Sequence, residues 1–165
     1  MKATEMVVSE LPFVVRREAR WSDCDPAGVV YTGRYTDYVL GAIALYSEYL
    51  GRGVRLGEAH GVGTPCKAMS FEFIGTLWPG DVIEIECRIG EIRTRSYDIH
   101  LFARRPGGES VFKAVFSPIC VQQHERISTP IPESLRQVLI QHSARKKSQC
   151  GESEKISVVG MNNEQ

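Results

Sequence analysis

Two aspartates flank a cysteine in the run Asp23-Cys24-Asp25-Pro26-Ala27-Gly28-Val29-Val30-Tyr31, where the reactive side chains of this sequence concentrate. An aspartate carboxylate is ionised at neutral pH, so it can attack an electrophilic carbon or take a proton from water. The Cys24 thiol is the weaker nucleophile, because neither a nearby His nor a helix start is assured to lower its pKa. The same residues also suit a structural role, with Asp25 capping and Pro26 opening a turn or helix. Asp23 is the rival carboxylate, and otherwise a loop-ordering acceptor of backbone N–H groups. Other chemistries lack their residues. There is no GxSxG elbow, no phosphate loop ending in Lys-Ser or Lys-Thr, and no GxGxxG. His60, His100, His124 and His142 are dispersed, and His124-Glu125 lacks the second His of a zinc-protease motif, so no metal site is expected.

The loop needs elements to hold it. Residues 13–21 read as a strand, and residues 22–33 as a loop rich in Asp, Pro and Gly. From Arg34 a helical pattern begins, with Tyr35, Tyr38, Val39, Ala42, Tyr46, Tyr49 and Leu50 on one face and Gly51 as terminator. Ile43 and Leu45 lie off that stripe, so the helix is apolar most of the way round and calls for a wrapping structure. After His60 the period becomes 2. Lys67, Met69, Phe71 and Phe73 alternate, then Ile83, Ile85, Cys87 and Ile89, then Tyr97, Ile99, Leu101 and Ala103. Turns are expected at residues 78–81 and 105–109, and a last long strand at 111–121 with Pro118 at a bulge or edge. A short helix follows from Pro132, with Leu135, Val138 and Leu139 as its apolar face. This order predicts an α+β architecture in one domain at 11–142, after a flexible leader at 1–10 and before a disordered tail at 143–165.

The Asp23–Tyr31 run is followed in order by His60-Gly61-Val62-Gly63-Thr64-Pro65, Ser70-Phe71, Gly80-Asp81-Val82, Arg93-Thr94-Arg95-Ser96-Tyr97 and Pro106-Gly107-Gly108. Over roughly residues 15–126 the chain resembles the hotdog-fold acyl-CoA thioesterases, most closely the 4-hydroxybenzoyl-CoA thioesterase type. The resemblance implies an antiparallel sheet wrapped around one long central helix, with a short C-terminal helix. It implies Asp25 as the catalytic carboxylate, acting as nucleophile or general base, and the backbone N–H of Thr32 as the group polarising the thioester carbonyl. Thioesterases acting on aliphatic acyl-CoA often carry a His at the position of Thr32, which favours the hydroxybenzoyl arrangement here. Thr64, Pro65 and Cys66 match a segment bordering the pantetheine arm. Arg93, Thr94 and Arg95 match a basic stretch for the phosphates of coenzyme A, with Arg126 a further candidate. Two departures stand out: Ser128 replaces an expected basic residue, and no aromatic residue in 51–63 matches a Trp that flanks the acyl group in relatives.

The implied reaction is hydrolysis of an aromatic, 4-hydroxybenzoyl-like acyl-CoA to the free acid and CoA, with no cofactor, since coenzyme A belongs to the substrate. The implied partner is a second copy of the chain, in a dimer or in a homotetramer built as a dimer of dimers. The alternatives are an acyl-carrier-protein thioesterase of the same fold and a non-catalytic hotdog protein that holds acyl-CoA. Composition agrees with an ordinary soluble globular protein and names no chemistry: 165 residues, 42% hydrophobic and 24% charged. Twenty Lys and Arg against twenty Asp and Glu exclude the basic footprint of a general nucleic-acid binder. The apolar stretch at 38–50 is interrupted by Gly41, Ser47 and Glu48 and is too short to span a membrane. The start reads as lacking a signal peptide, and five Cys without a CxxC pair read as free thiols, so a cytoplasmic setting is expected.

Overall fold

The computed structural model describes residues 4–150, with side chains to 143. In chain order it contains β1 (Glu5–Glu10), β2 (Phe13–Glu18), a 3-10 turn (Trp21–Asp23), α1 (Arg34–Leu50) and the short α2 (Leu56–Ala59). Then come β3 (Val62–Gly63), β4 (Cys66–Phe73), β5 (Val82–Ile92), β6 (Tyr97–Arg104), β7 (Ser110–Pro118), β8 (Val121–Gln122) and α3 (Glu133–Cys150). Six strands form one antiparallel sheet in the order β1-β2-β5-β6-β7-β4, and β3 pairs with β8 in a small separate ribbon.

The sheet has one buried face. Along β5 buried residues alternate with half-buried ones, as a strand covered on a single side requires. The covered face carries Ile83, Ile85, Ile99, Leu101, Phe112 and Ala114, packed against the stripe Tyr35, Tyr38, Val39, Ala42, Tyr46 and Leu50 of α1. Each large apolar side chain buried in this way contributes roughly 1.5–3 kcal/mol. Leu135 and Leu139 bring α3 onto β5, and its His142 ring meets Tyr49 of α1 edge-on at 6.0 Å. The opposite face is laced with charge, as in the Arg16–Glu84 pair at 2.7 Å and the Arg88 guanidinium 4.8 Å from the centre of the Phe102 ring.

The long helix starts and stops where its periodicity says. The strand expected at 13–21 ends at Glu18, because Trp21–Asp23 tightens into the 3-10 turn that enters the loop. Gly51 ends α1, its N–H donating to the Ser47 carbonyl at 2.9 Å. A Cβ at that position would lie 2.0 Å from the Val54 carbonyl oxygen, so the chain turns back there only over a glycine. Gly51→Ala is expected to cost about 1–3 kcal/mol through this overlap, read as a lower thermal midpoint; an unchanged midpoint would mean that the 51–55 turn yields freely.

Two expected boundaries are corrected. Residues 1–10 are not a leader throughout, because Glu5–Glu10 pairs with β2 from Glu5↔Arg17 to Glu10↔Phe13. The Glu5–Arg17 ion pair at 3.3 Å ties this strand inward, against Gly41 of α1. At the other end α3 carries the chain past 142 to Cys150. Polar composition marked a domain end there, yet Arg, Lys, Gln and Ala are good helix formers that need no core to continue a helix. Residues 151–165 of the expected tail lie outside the described residues. Among the described residues, no helix is long and apolar enough to cross a membrane. Among the residues whose side chains are described, four thiols are free: Cys87 and Cys120 buried, Cys24 half-buried and Cys66 exposed.

Candidate active site

The segment between β2 and α1 folds into a tight, self-bonded loop. Asp25-Pro26-Ala27-Gly28 is a turn closed by the Gly28 N–H donating to the Asp25 carbonyl at 2.9 Å. Gly28 has φ +82°, a left-handed conformation that glycine adopts without strain. The Asp25 N–H then donates to Val29 at 3.0 Å, Cys24 and Val30 form an antiparallel bridge, and the Tyr31 N–H donates to the Asp23 carbonyl at 2.9 Å. Asp25-Pro26 therefore opens a turn and not the helix, which begins only at Arg34.

The two aspartates sit in different surroundings. Asp25 is half-buried; its Oδ1 accepts the Ala27 N–H at 2.8 Å, and its Oδ2 has no partner among the described residues. Asp23 is 7% exposed, and its Oδ2 accepts both the Tyr38 hydroxyl at 2.8 Å and the Arg20 N–H at 3.0 Å. One carboxylate thus keeps a free oxygen in a partly open loop, while the other is committed to the fold. Partial desolvation, then the charges of Asp23 and Asp25, push the Cys24 thiol up, away from the thiolate form a nucleophile needs.

Thr32 is exposed, two residues before α1, and its carbonyl accepts the Tyr35 N–H at 3.3 Å. Its own N–H has no partner among the described residues. It lies at the positive end of a 17-residue helix. Such a donor can stabilise an oxyanion.

The other candidates gather elsewhere. The Pro65 carbonyl accepts the Ile119 N–H at 3.0 Å, and exposed Cys66 starts β4 opposite Pro118. The β4–β7 register shifts just after that pair, which is where Pro118 finds its tolerated place. Ser96 bridges Ile119, the Arg95 carbonyl accepts the Cys120 N–H at 2.8 Å, and the Thr94 carbonyl accepts the Ile131 N–H at 2.9 Å. Thr64 is half-buried, with its side chain against Gly57. Thr64 to Cys66 and Arg93 to Arg95 are therefore joined through the end of β7.

The cations of this cluster are not equivalent. The turn between β5 and β6 sends Arg93 onto Asp98 through two bonds at 2.6 and 2.9 Å, with Glu91 a further 2.9 Å contact. That Arg93 bond, assisted by one from Ser117, holds the buried Asp98 carboxyl below its usual range against the opposing effect of burial. Arg95 instead donates to the Ser128 carbonyl at 2.5 Å and hydroxyl at 3.2 Å, with no acidic partner among the described residues. Arg126 is exposed on the 122–128 loop. Among the described residues Arg95 and Arg126 thus have no acidic partner, and neither does Arg136, which donates to the Arg93 carbonyl at 2.7 Å.

The two groups of residues lie at opposite ends of the sheet. Phe73, the last residue of β4, meets Tyr35 edge-on at 5.1 Å, and the Val30 N–H donates to Leu77 just beyond, so the Asp25 loop sits at that end. Cys66 marks the other end. Eight residues of β4 separate them, about 23 Å at the usual strand rise.

A model of the family described as the thioesterase-like superfamily matches residues 19–139. The chain belongs to the thioesterase-like superfamily. That family is a class of thioester hydrolases, and the match runs from the end of β2 into α3. No curated protein sequence matches the chain. Solved structures share its fold. A thioesterase-superfamily protein of Jannaschia sp. CCS1 is 23% identical with a TM-score of 0.73, over 86% of this chain and 97% of that one. The 4-hydroxybenzoyl CoA thioesterase of Pseudomonas sp. strain CBS-3 is 24% identical with a TM-score of 0.65, over 82% and 99%. A 1,4-dihydroxy-2-naphthoyl-CoA thioesterase of Synechocystis is 18% identical with a TM-score of 0.66, over 78% and 95%. The superfamily's hotdog arrangement is the one described above: an antiparallel sheet packed on a long helix.

Among the described residues, no three His, Cys, Asp or Glu side chains gather to hold a metal ion. Sequence reasoning passed over Tyr38, whose hydroxyl reaches Asp23. It sits in the apolar stripe of α1 and reads as core, and the one available signal is that a buried Tyr hydroxyl needs a partner. Asp98 was missed too, although an isolated Asp inside an apolar strand asks for a buried cation.

Proposed function

We propose that this superfamily member hydrolyses an aromatic acyl-CoA thioester, of the 4-hydroxybenzoyl type, with Asp25 as its carboxylate and the Thr32 N–H as its oxyanion donor. The observation that carries the reading is the pairing, on one short loop, of a carboxylate oxygen and an N–H at the positive end of α1, both without a partner among the described residues. As the thioester carbonyl is attacked, its oxygen gains charge, and a fixed donor stabilises that charge without reorganising. The carboxylate either adds to the carbonyl carbon, giving a mixed anhydride that water opens, or removes a proton from the attacking water. Both routes release CoA thiol and the free acid.

The aromatic assignment is supported by the two solved neighbours whose names specify aromatic acyl-CoA substrates. It is also supported by exposed Phe73 and Tyr31 near the Asp25 loop. On this reading Arg95 and Arg126 meet the phosphates of CoA, and Thr64 to Cys66 border the pantetheine. Those residues lie a strand's length from Asp25 within one chain, and on this reading a second copy of the chain brings the two groups onto one substrate. The free edge of β4 suits that pairing, being bonded to β7 on one side only and exposed over most of its length. An antiparallel β4–β4 contact about a two-fold axis sets the Cys66 end of one copy on the Phe73 end of the other.

The test is a panel of benzoyl-, 4-hydroxybenzoyl-, phenylacetyl- and fatty acyl-CoA thioesters, with an acyl carrier protein thioester beside them, followed by release of free thiol. Hydroxybenzoyl-type thioesters are expected to turn over fastest. Preference for the carrier protein would replace CoA as the carrier, and silence across the panel would leave a binding protein.

A further inference from the structure

We infer that Tyr38 is a positioning residue, which holds the Asp25–Thr32 loop in its reactive geometry by anchoring Asp23 to α1; the inference rests on the hydrolytic reading above. The Tyr38 hydroxyl donates to Asp23 Oδ2 at 2.8 Å, and it is the only side-chain hydrogen bond between residues 19–31 and α1 among the described residues. Asp23 passes the anchorage to both sides of the loop. Its Oδ2 also takes the Arg20 N–H at 3.0 Å on the way in, and its carbonyl takes the Tyr31 N–H at 2.9 Å on the way out. Tyr31 immediately precedes Thr32, and Asp23 stands two residues before Asp25. A shift of Asp23 therefore moves the carboxylate and the N–H donor together.

The tyrosine is itself fixed. It is fully buried, and the Arg17 guanidinium carbon lies 4.6 Å from its ring centre. Arg17 is in turn held by Glu5 of β1 at 3.3 Å. Burial, and then the Asp23 bond, push the phenol well above its usual range, so it keeps the proton it donates. The network runs from the first strand through α1 to the loop. Neither Tyr38 nor Asp23 is given contact with the reacting atoms. Both act through the geometry of Asp25 and Thr32.

Tyr38→Phe removes one oxygen and leaves the ring packing in place. Turnover is expected to fall roughly 10- to 100-fold, the scale of a small misplacement of reacting groups. KM is expected to change by less than about threefold, since the lost positioning acts on the transition state more than on binding. Asp23→Asn keeps an acceptor for both donors and retains most of the turnover, whereas Asp23→Ala matches Tyr38→Phe. The Tyr38→Phe, Asp23→Ala double variant is no slower than either alone, as expected for two residues acting as one unit. Backbone hydrogen exchange at Arg20 and Tyr31 in Tyr38→Phe is expected to rise about tenfold or more while β6 amides hold, because exchange reports local opening. Unchanged turnover or unchanged exchange in Tyr38→Phe overturns the inference, as does an Asp23→Asn protein as inactive as Asp23→Ala, which would make the charge of Asp23 the essential feature. If the unmodified protein hydrolyses no thioester, the functional reading fails, and the exchange measurement still decides the anchorage.

Discussion

Asp25→Asn folds normally, and its thioester hydrolysis drops by about 10²- to 10⁴-fold or more, the contribution expected of a positioned base and a lower bound for a nucleophile. The fold survives because the contact Asp25 makes within the protein is one that asparagine can repeat. Its Oδ1 accepts the Ala27 N–H at 2.8 Å, and an amide oxygen accepts it as well. The turn closed by Gly28 uses main-chain atoms and is untouched. What the substitution removes is negative charge on the free oxygen, and with it the ability to attack carbon or accept a proton. Acyl-CoA binding persists, because the residues proposed to hold CoA lie at the other end of the sheet. The measurement is thiol release beside equilibrium binding of the same thioester. Near-normal turnover in Asp25→Asn together with its loss in Asp23→Asn would transfer the chemistry to Asp23. The buried position of Asp23 and its two donors argue against that outcome.

The fold was legible wherever local chemistry and periodicity agreed. The stripe from Tyr35 to Leu50 gave a helix that ends at Gly51, and the alternations at Met69–Phe73, Ile83–Ile89 and Tyr97–Ala103 gave strands. Glu5–Glu10 was not legible. Its place depends on a cross-strand ion pair with Arg17 and on close approach to Gly41, and neither leaves a periodic trace. The Asp25 loop could be found by residue type, but residue type does not tell that Asp23 is buried while Asp25 stays half-open. Arg93 and Arg95 looked alike in sequence as two cations of one basic stretch. In the turn before β6 they part, with Asp98 taking the first and Ser128 the second. The separation between Asp25 and Thr64 was hidden as well, because it follows from the register of β4 on β7 and not from any spacing.

That separation leads to the second large effect, which is a gain. Asp25→Asn alone is close to inactive. Arg95→Glu, assayed with acyl-CoA well below KM, is expected to lose roughly 10- to 100-fold, the scale of a charge-assisted bond to phosphate. Mixed and reassembled, the two proteins should recover roughly a quarter of the activity of unmodified protein, because half of randomly assorted two-fold dimers are mixed and each mixed dimer has one intact site. In that site the Asp25 of the Arg95→Glu chain faces the Arg95 of the Asp25→Asn chain, and the other site carries both lesions. Differential tags and purification of the mixed species would double the recovery per dimer. Two sites each contained within a single chain give the opposite result, since every site then keeps one lesion and the mixture merely averages its parents. An Arg95→Glu protein that is fully active by itself would instead remove Arg95 from the phosphate site. The outcome rests on the two ends of β4: the Phe73 end lies by the proposed carboxylate and oxyanion donor, the Cys66 end by the residues proposed for CoA. On the proposed pairing, a two-fold partner at the free edge of this eight-residue strand brings those ends onto one substrate.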